Sequence, residues 1–178
     1  MIRTVVTYQS KYGSTEKYAK WIAESLNCAS IPIKQVKKED FEKVDVFIFG
    51  GGLYATGIEG LKEFKTKAAA FPEKKWVIFT MGLSDPQKTD YSEVIDHNFT
   101  PEEKQNTTFF HLRGGIDYKK LSFVHRGMMA MMHKMINKNP SPDHQAFNDS
   151  YGKAVDFSDL QSIQPLLDYI QNIETPQE

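Results

Sequence analysis

Ile2-Arg3-Thr4-Val5-Val6-Thr7-Tyr8 leads through Gln9 into Ser10-Lys11-Tyr12-Gly13-Ser14-Thr15. The first half is rich in β-branched residues and reads as a buried strand. The second half is short and polar. From Thr15 to Leu26 the apolar residues Tyr18, Trp21, Ile22 and Leu26 recur at three- and four-residue steps, the signature of an amphipathic helix. A strand that turns within a few residues into a helix is the first half of a βαβ unit.

The same alternation continues outward. Ile31–Val36 predicts a second strand, and Val44–Phe49 is almost continuously apolar, as a strand covered on both faces must be. Leu61–Ala70 reads as a helix and Trp76–Met81 as a strand. Tyr91–Gln105 reads as helix with a break near Pro101, and Thr107–Leu112 as a fifth strand. A Met-rich helix is expected over Leu121–Asn137, a long polar loop over Asn139–Tyr151, and a last helix beyond Ser158, its expected N-cap. Residues 175–178 should fray. The pattern predicts an α/β fold, a five-stranded parallel sheet in the order 2-1-3-4-5 with helices on both faces. Residues 1–174 are expected to form one domain, with 114–151 inserted after the fifth strand.

Ligands of such sheets bind beyond the carboxyl ends of the strands. Three loops fall there. In Ser10 to Thr15, hydroxyls and Gly13 precede a helix N-terminus with free N–H groups and the positive end of its dipole. This composition suits a terminal phosphate, and equally a capped turn without ligand. It lacks the Gly-Lys-Ser/Thr of nucleoside triphosphate loops and has no G-x-G-x-x-G, which disfavours ATP and NAD. In Gly50-Gly51-Gly52-Leu53-Tyr54-Ala55-Thr56-Gly57, small residues would let a flat ring lie against backbone, with Tyr54 stacking on it. The third, Met81-Gly82-Leu83-Ser84-Asp85, could offer backbone hydrogen bonds to a ring edge, or be an ordinary polar turn.

The chain has 178 residues, 40% of them hydrophobic, and a net charge of −1, which gives no electrostatic reason to expect a nucleic-acid partner. One cysteine, Cys28, excludes an internal disulfide and reads as a buried, inert thiol. With no targeting sequence apparent at the strand-like start, a cytoplasmic location is expected. His125 and His133 lie eight apart with no third ligand in view, so no metal site is expected, and no residue stands out as catalytic.

Together VVTY, SKYGST, VFIFGGGLYATG and WVIFTMGL resemble the flavodoxin superfamily over nearly the whole chain. The resemblance implies FMN as cofactor. Its phosphate would lie on Ser10, Lys11, Tyr12, Gly13, Ser14 and Thr15. Its isoalloxazine would lie between Leu53, Tyr54, Ala55, Thr56 and Gly57 and the loop of Met81, Gly82, Leu83, Ser84 and Asp85. The second half, from Leu112-Arg113-Gly114-Gly115-Ile116-Asp117-Tyr118 through the Met-rich helix to Val155-Asp156-Phe157, is similar to menaquinone-dependent protoporphyrinogen oxidases. That implies an FMN-dependent enzyme taking electrons from a reduced tetrapyrrole or other organic donor and passing them to a quinone. The alternative is a flavodoxin carrying electrons between protein partners. Such carriers are usually strongly acidic, and this chain is not.

Leu121, Val124, Met128, Met131 and Met135 form a continuous helical stripe, widened by Phe123, Met129, Met132 and Ile136 and flanked by basic residues. Packing on the sheet or in a homodimer is the expectation, because core helices are far commoner than docking helices. The other reading is a docking face for a greasy substrate, a quinone, or the inner face of a membrane through residues 119–138.

Overall fold

The computed structural model describes residues 2–140 and 144–174. Five strands, β1 (Thr4–Gln9), β2 (Ser30–Pro32), β3 (Val46–Tyr54), β5 (Lys75–Gly82) and β6 (Thr107–Arg113), form a parallel sheet in the order β2-β1-β3-β5-β6. A two-residue strand, β4 (Gly57–Ile58), folds back antiparallel onto the end of β3. The expected order of the five parallel strands is thus the observed one.

Side chains alternate across a strand, so β3 serves two cores. Val46 and Ile48 face the layer of α1 (Ser14–Ser25) and α8 (Gln164–Glu174), packing with Tyr18, Ile22, Leu166 and Ile170. Phe47 and Phe49 face the layer of α2 (Lys38–Glu42) and α3 (Leu61–Ala68), against Phe41 and Phe64. The expected helix with a break is two helices, α4 (Ser92–Asn98) and α5 (Pro101–Gln105). Thr100 caps the second, and its Pro101 stands where the missing N–H costs nothing.

Several expectations need correction. Gly50–Tyr54 is strand rather than loop, because β1 pairs as far as Gly51 and β5 as far as Gly52. Paired neighbours on both sides override glycine's poor strand propensity. Glycine is also required at position 50, where an added Cβ would lie 2.0 Å from the Phe79 ring. The second strand stops at Pro32 and continues as a 3₁₀ turn, Ile33–Gln35. The polar stretch after Asn139 contains α7 (Gln145–Ser150). Asp159, not Ser158, caps the turn Leu160–Ile163 that leads into α8, its carboxylate accepting from the Gln161 N–H at 3.0 Å. The expected fraying of 175–178 lies outside the described residues.

After β6 the chain makes β7 (Gly115–Asp117), α6 (Phe123–Lys138) and α7, then returns as β8 (Ala154–Asp156), antiparallel to β7. Lys17 on α1 pairs with Asp156 at 2.9 Å. The Ser158 hydroxyl and N–H, with Lys17, hold the Asp156 carboxyl down at about 2. Tyr18 ties the frame together: its hydroxyl donates to the Arg113 carbonyl at 3.0 Å and accepts from the Asp159 N–H at 2.9 Å. Of the packings expected for its stripe, on the sheet or in a homodimer, α6 does not show the first. Within α6 only Ile136 is buried.

Candidate functional site

The carboxyl ends of β1, β3, β5 and β6 open into one cavity of about 580 Å³. Its floor is the start of α1. Gly13 precedes that helix at φ +98, a conformation side chains disfavour, and no side chain caps it. The first N–H groups of α1 therefore have no partner within the helix. Two hydroxyls join them with their protons free. Ser10 Oγ accepts from the Gly13 N–H at 3.1 Å, and Ser14 Oγ accepts from the Gly115 N–H at 3.2 Å. Both oxygens are thus engaged as acceptors, leaving each O–H to donate to a ligand. Lys11 adds a positive charge to the same lining.

The walls are the two other loops. Gly52, Leu53, Tyr54 and Ala55 form one; Met81, Gly82, Leu83 and Ser84 form the other. The second wall is fixed from β6: the Arg113 guanidinium donates to the Leu83 carbonyl at 2.9 Å, and the Gly114 N–H to the Gly82 carbonyl at 2.8 Å. Burial, then Glu59 and Tyr12, push the Tyr54 hydroxyl well above its ordinary pKa, so it stays protonated.

Of the expected site residues, Ser10, Lys11, Tyr12, Ser14, Thr15, Leu53, Tyr54, Ala55, Met81, Gly82, Leu83 and Ser84 line this cavity. Gly13 acts through its backbone. Thr56 and Gly57 belong to the hairpin beyond it, the Thr56 carbonyl accepting from Asn98 Nδ2. Asp85 is turned into its own loop, accepting from the Gln87 N–H at 3.0 Å.

Two further groups complete the cavity. Tyr91 stacks on His111 with centroids 3.6 Å apart, and Thr80 Oγ1 lies 2.5 Å from His111 Nδ1. Burial pushes His111 down to about 4, keeping it neutral behind the Tyr91 wall. The other group is the roof. His125, at the start of α6, stacks on Tyr54 with centroids 4.7 Å apart, and its Nδ1 lies 2.6 Å from the Tyr12 hydroxyl. That hydroxyl also accepts from the Ser122 N–H at 3.3 Å. Burial, then Lys11, lower the His125 pKa, which favours the neutral ring. One histidine thus joins α6 to two of the three loops. Beyond it Met128, Met129, Met131, Met132 and Met135 line the cavity together with Phe147 from α7. At the other end of α6, His133 stacks on Tyr151 with centroids 3.9 Å apart.

Cys28, half-buried, has its thiol pushed up by burial. Among the described residues, no group of three or more His, Cys, Asp and Glu side chains could hold a metal ion, and no helix is long and apolar enough to cross a membrane.

A parallel sheet in this order, with its cavity at the carboxyl ends of the strands, defines a flavodoxin-like α/β protein. The chain belongs to the flavodoxin domain family, whose sequence profile matches residues 5–143. It is similar to a solved flavodoxin from the domain Archaea, at 18% identity over 75% of this chain and 98% of that one, with a TM-score of 0.49. It is also similar to oxidised Flavodoxin 1 from Bacillus cereus, at 16% identity over 78% and 99%, with a TM-score of 0.46. No curated protein matches it.

The family implies a flavin, and the donor set fits one. Unpaired N–H groups and two free hydroxyl protons at a helix start suit an anionic phosphate. A Cβ-poor edge at Gly52 and Gly82, with Tyr54 beside it, leaves room for a flat ring.

Proposed function

We propose that the chain is an FMN-dependent oxidoreductase of the protoporphyrinogen oxidase type, moving electrons from a reduced tetrapyrrole or similar apolar organic donor to a quinone. One observation carries this reading: the cavity does not end at the flavin loops but continues under the Met-rich roof. FMN supplies the acceptance and release of electrons. The chain's residues do the rest. Ser10, Ser14 and the start of α1 hold a terminal phosphate, with Lys11 balancing its charge. Leu53, Tyr54 and the Gly82–Ser84 backbone orient the ring. The methionines offer a deformable apolar surface to a flat substrate and exclude water from it.

A carrier between proteins must present its flavin edge to a partner. Here α6 stands over that opening, which favours turnover of a small molecule instead.

The test begins with the visible spectrum and an FMN titration of the purified protein. Protoporphyrinogen and a menaquinone analogue are then added, and porphyrin fluorescence is followed. Porphyrin formation that depends on both FMN and quinone is the expected result. Failure to bind FMN would overturn the whole reading; FMN binding without porphyrin would overturn the substrate assignment.

A further inference from the structure

Tyr12 belongs to two parts of the molecule at once. Its backbone lies between Lys11 and Gly13, in the turn whose hydroxyls and N–H groups suit a phosphate. Its side chain leaves that turn and reaches the start of α6. The hydroxyl lies 2.6 Å from His125 Nδ1 and accepts from the Ser122 N–H at 3.3 Å. The Tyr12 and His125 rings meet edge to face, with centroids 5.5 Å apart. Ser122 is the N-cap of α6, its own hydroxyl accepting from the His125 N–H at 3.3 Å. One phenol therefore holds both the cap and the first turn of the roof.

Little else ties that end of α6 down. Leu121 is buried just before the helix, and Ile136, the buried residue within it, lies near the far end. Between them Phe123 is 90% exposed and Val124 70%. A segment with so few buried apolar contacts opens far more readily than the sheet beneath it. Because α6 stands over the mouth, a lifted roof opens the cavity and a seated one closes it.

An anion in the turn acts on the same tyrosine. The free N–H groups of α1 and the hydroxyl protons of Ser10 and Ser14 would converge on it, which fixes the backbone that carries Tyr12. Ser14 Oγ, accepting from the Gly115 N–H, ties the other side of the turn to β7. A phenol on a fixed backbone has already lost the freedom that contact with α6 would otherwise cost it. We infer that Tyr12 couples the phosphate turn to the roof: an anion held by Ser10–Thr15 seats α6 over the cavity. Such coupling is reciprocal, so the factor by which phosphate favours a seated roof is the factor by which the seated roof favours phosphate. Tyr12 and His125 are then positioning residues, and the methionine surface is completed on the loaded protein. The inference rests on the phosphate placement proposed above, not on the identity of the electron donor.

The test is amide exchange over residues 122–129 of the full chain, without ligand and with FMN or riboflavin at matched occupancy. Riboflavin carries the same ring and lacks the phosphate. FMN should slow exchange at the start of α6 about tenfold, the effect of one good hydrogen bond, and riboflavin much less. Tyr12→Phe keeps the ring and loses the hydroxyl, and it should abolish most of the slowing while sheet amides exchange as before. Its affinity for FMN should fall by a factor of up to about ten, and that for riboflavin should not. FMN binding that leaves the start of α6 unprotected overturns the coupling alone. Failure to bind FMN overturns the phosphate placement and the coupling with it. Protection that survives in Tyr12→Phe, or equal protection by riboflavin, also overturns the coupling, because the roof then answers to the ring.

Discussion

Ser10 and Ser14 allow the phosphate assignment to be separated from every other contribution to flavin binding. Each hydroxyl oxygen accepts a backbone N–H, from Gly13 at 3.1 Å and from Gly115 at 3.2 Å, and its proton is left to donate to an anionic ligand. A hydrogen bond to a charged group contributes about 1.5–3 kcal/mol. Ser14→Ala should therefore weaken FMN about tenfold to a hundredfold. Ser10→Ala should do the same, and the pair more than either. Riboflavin has the same ring and ribityl chain without the phosphate, so its affinity should barely move. The assay is quenching of flavin fluorescence on titration into apoprotein, with FMN and riboflavin side by side. Equal weakening of both ligands would mean that the serines merely support the fold. An unchanged FMN affinity would place the phosphate elsewhere. Gly13 is a poorer probe, since any side chain at φ +98 strains the turn itself.

Burial holds His111 at about 4, below the 6.5 of an exposed histidine, so the unfolded chain takes up its proton first as pH falls. Stability should drop between about pH 6.5 and 4, by on the order of 2 kcal/mol. His111→Gln should flatten the profile of denaturant midpoints over that window; an unaltered slope would refute the assignment. Tyr18→Phe removes a hydroxyl that both donates to Arg113 and accepts from Asp159, which should cost about 1–3 kcal/mol. Thermal melting should show it as a lowered midpoint with FMN affinity little changed. His125→Ala removes the link from α6 to Tyr12 and Tyr54. Amide exchange in the first turns of α6 should quicken about tenfold while the sheet is unaffected, and equal protection in both proteins would argue against the link.

The sheet was legible in the sequence because its strands are local. Val46–Phe49 is apolar on both faces, and nothing but the middle of a two-layered sheet accommodates that. The loop Ser10–Thr15 was legible because a helix N-terminus announces itself by hydroxyls and glycine in consecutive positions. Gly50–Tyr54 was misread because its extended form comes from pairing with β1 and β5, chain segments far away in sequence. Propensity has no access to that. Tyr91 and Glu59 were passed over for a similar reason. Nothing beside them along the chain marks them, and they matter only because the sheet order brings β6 and the hairpin to the same edge.

By itself the sequence determined the strand–helix alternation, the flavodoxin-like fold and the three loops at the carboxyl edge. The alternation and the loops rest on periodicity and turn chemistry, which act within a few residues; the flavodoxin-like fold came from the resemblance that those motifs carry. The tertiary structure decided the role of the Met-rich helix. Its stripe reads the same whether it faces a sheet, a ligand or a membrane, because burying apolar surface is a non-directional force. Docking of His125 on Tyr12 and Tyr54, residues about 110 and 70 positions earlier, turns that stripe into the roof of the cavity and leaves its outer flank exposed.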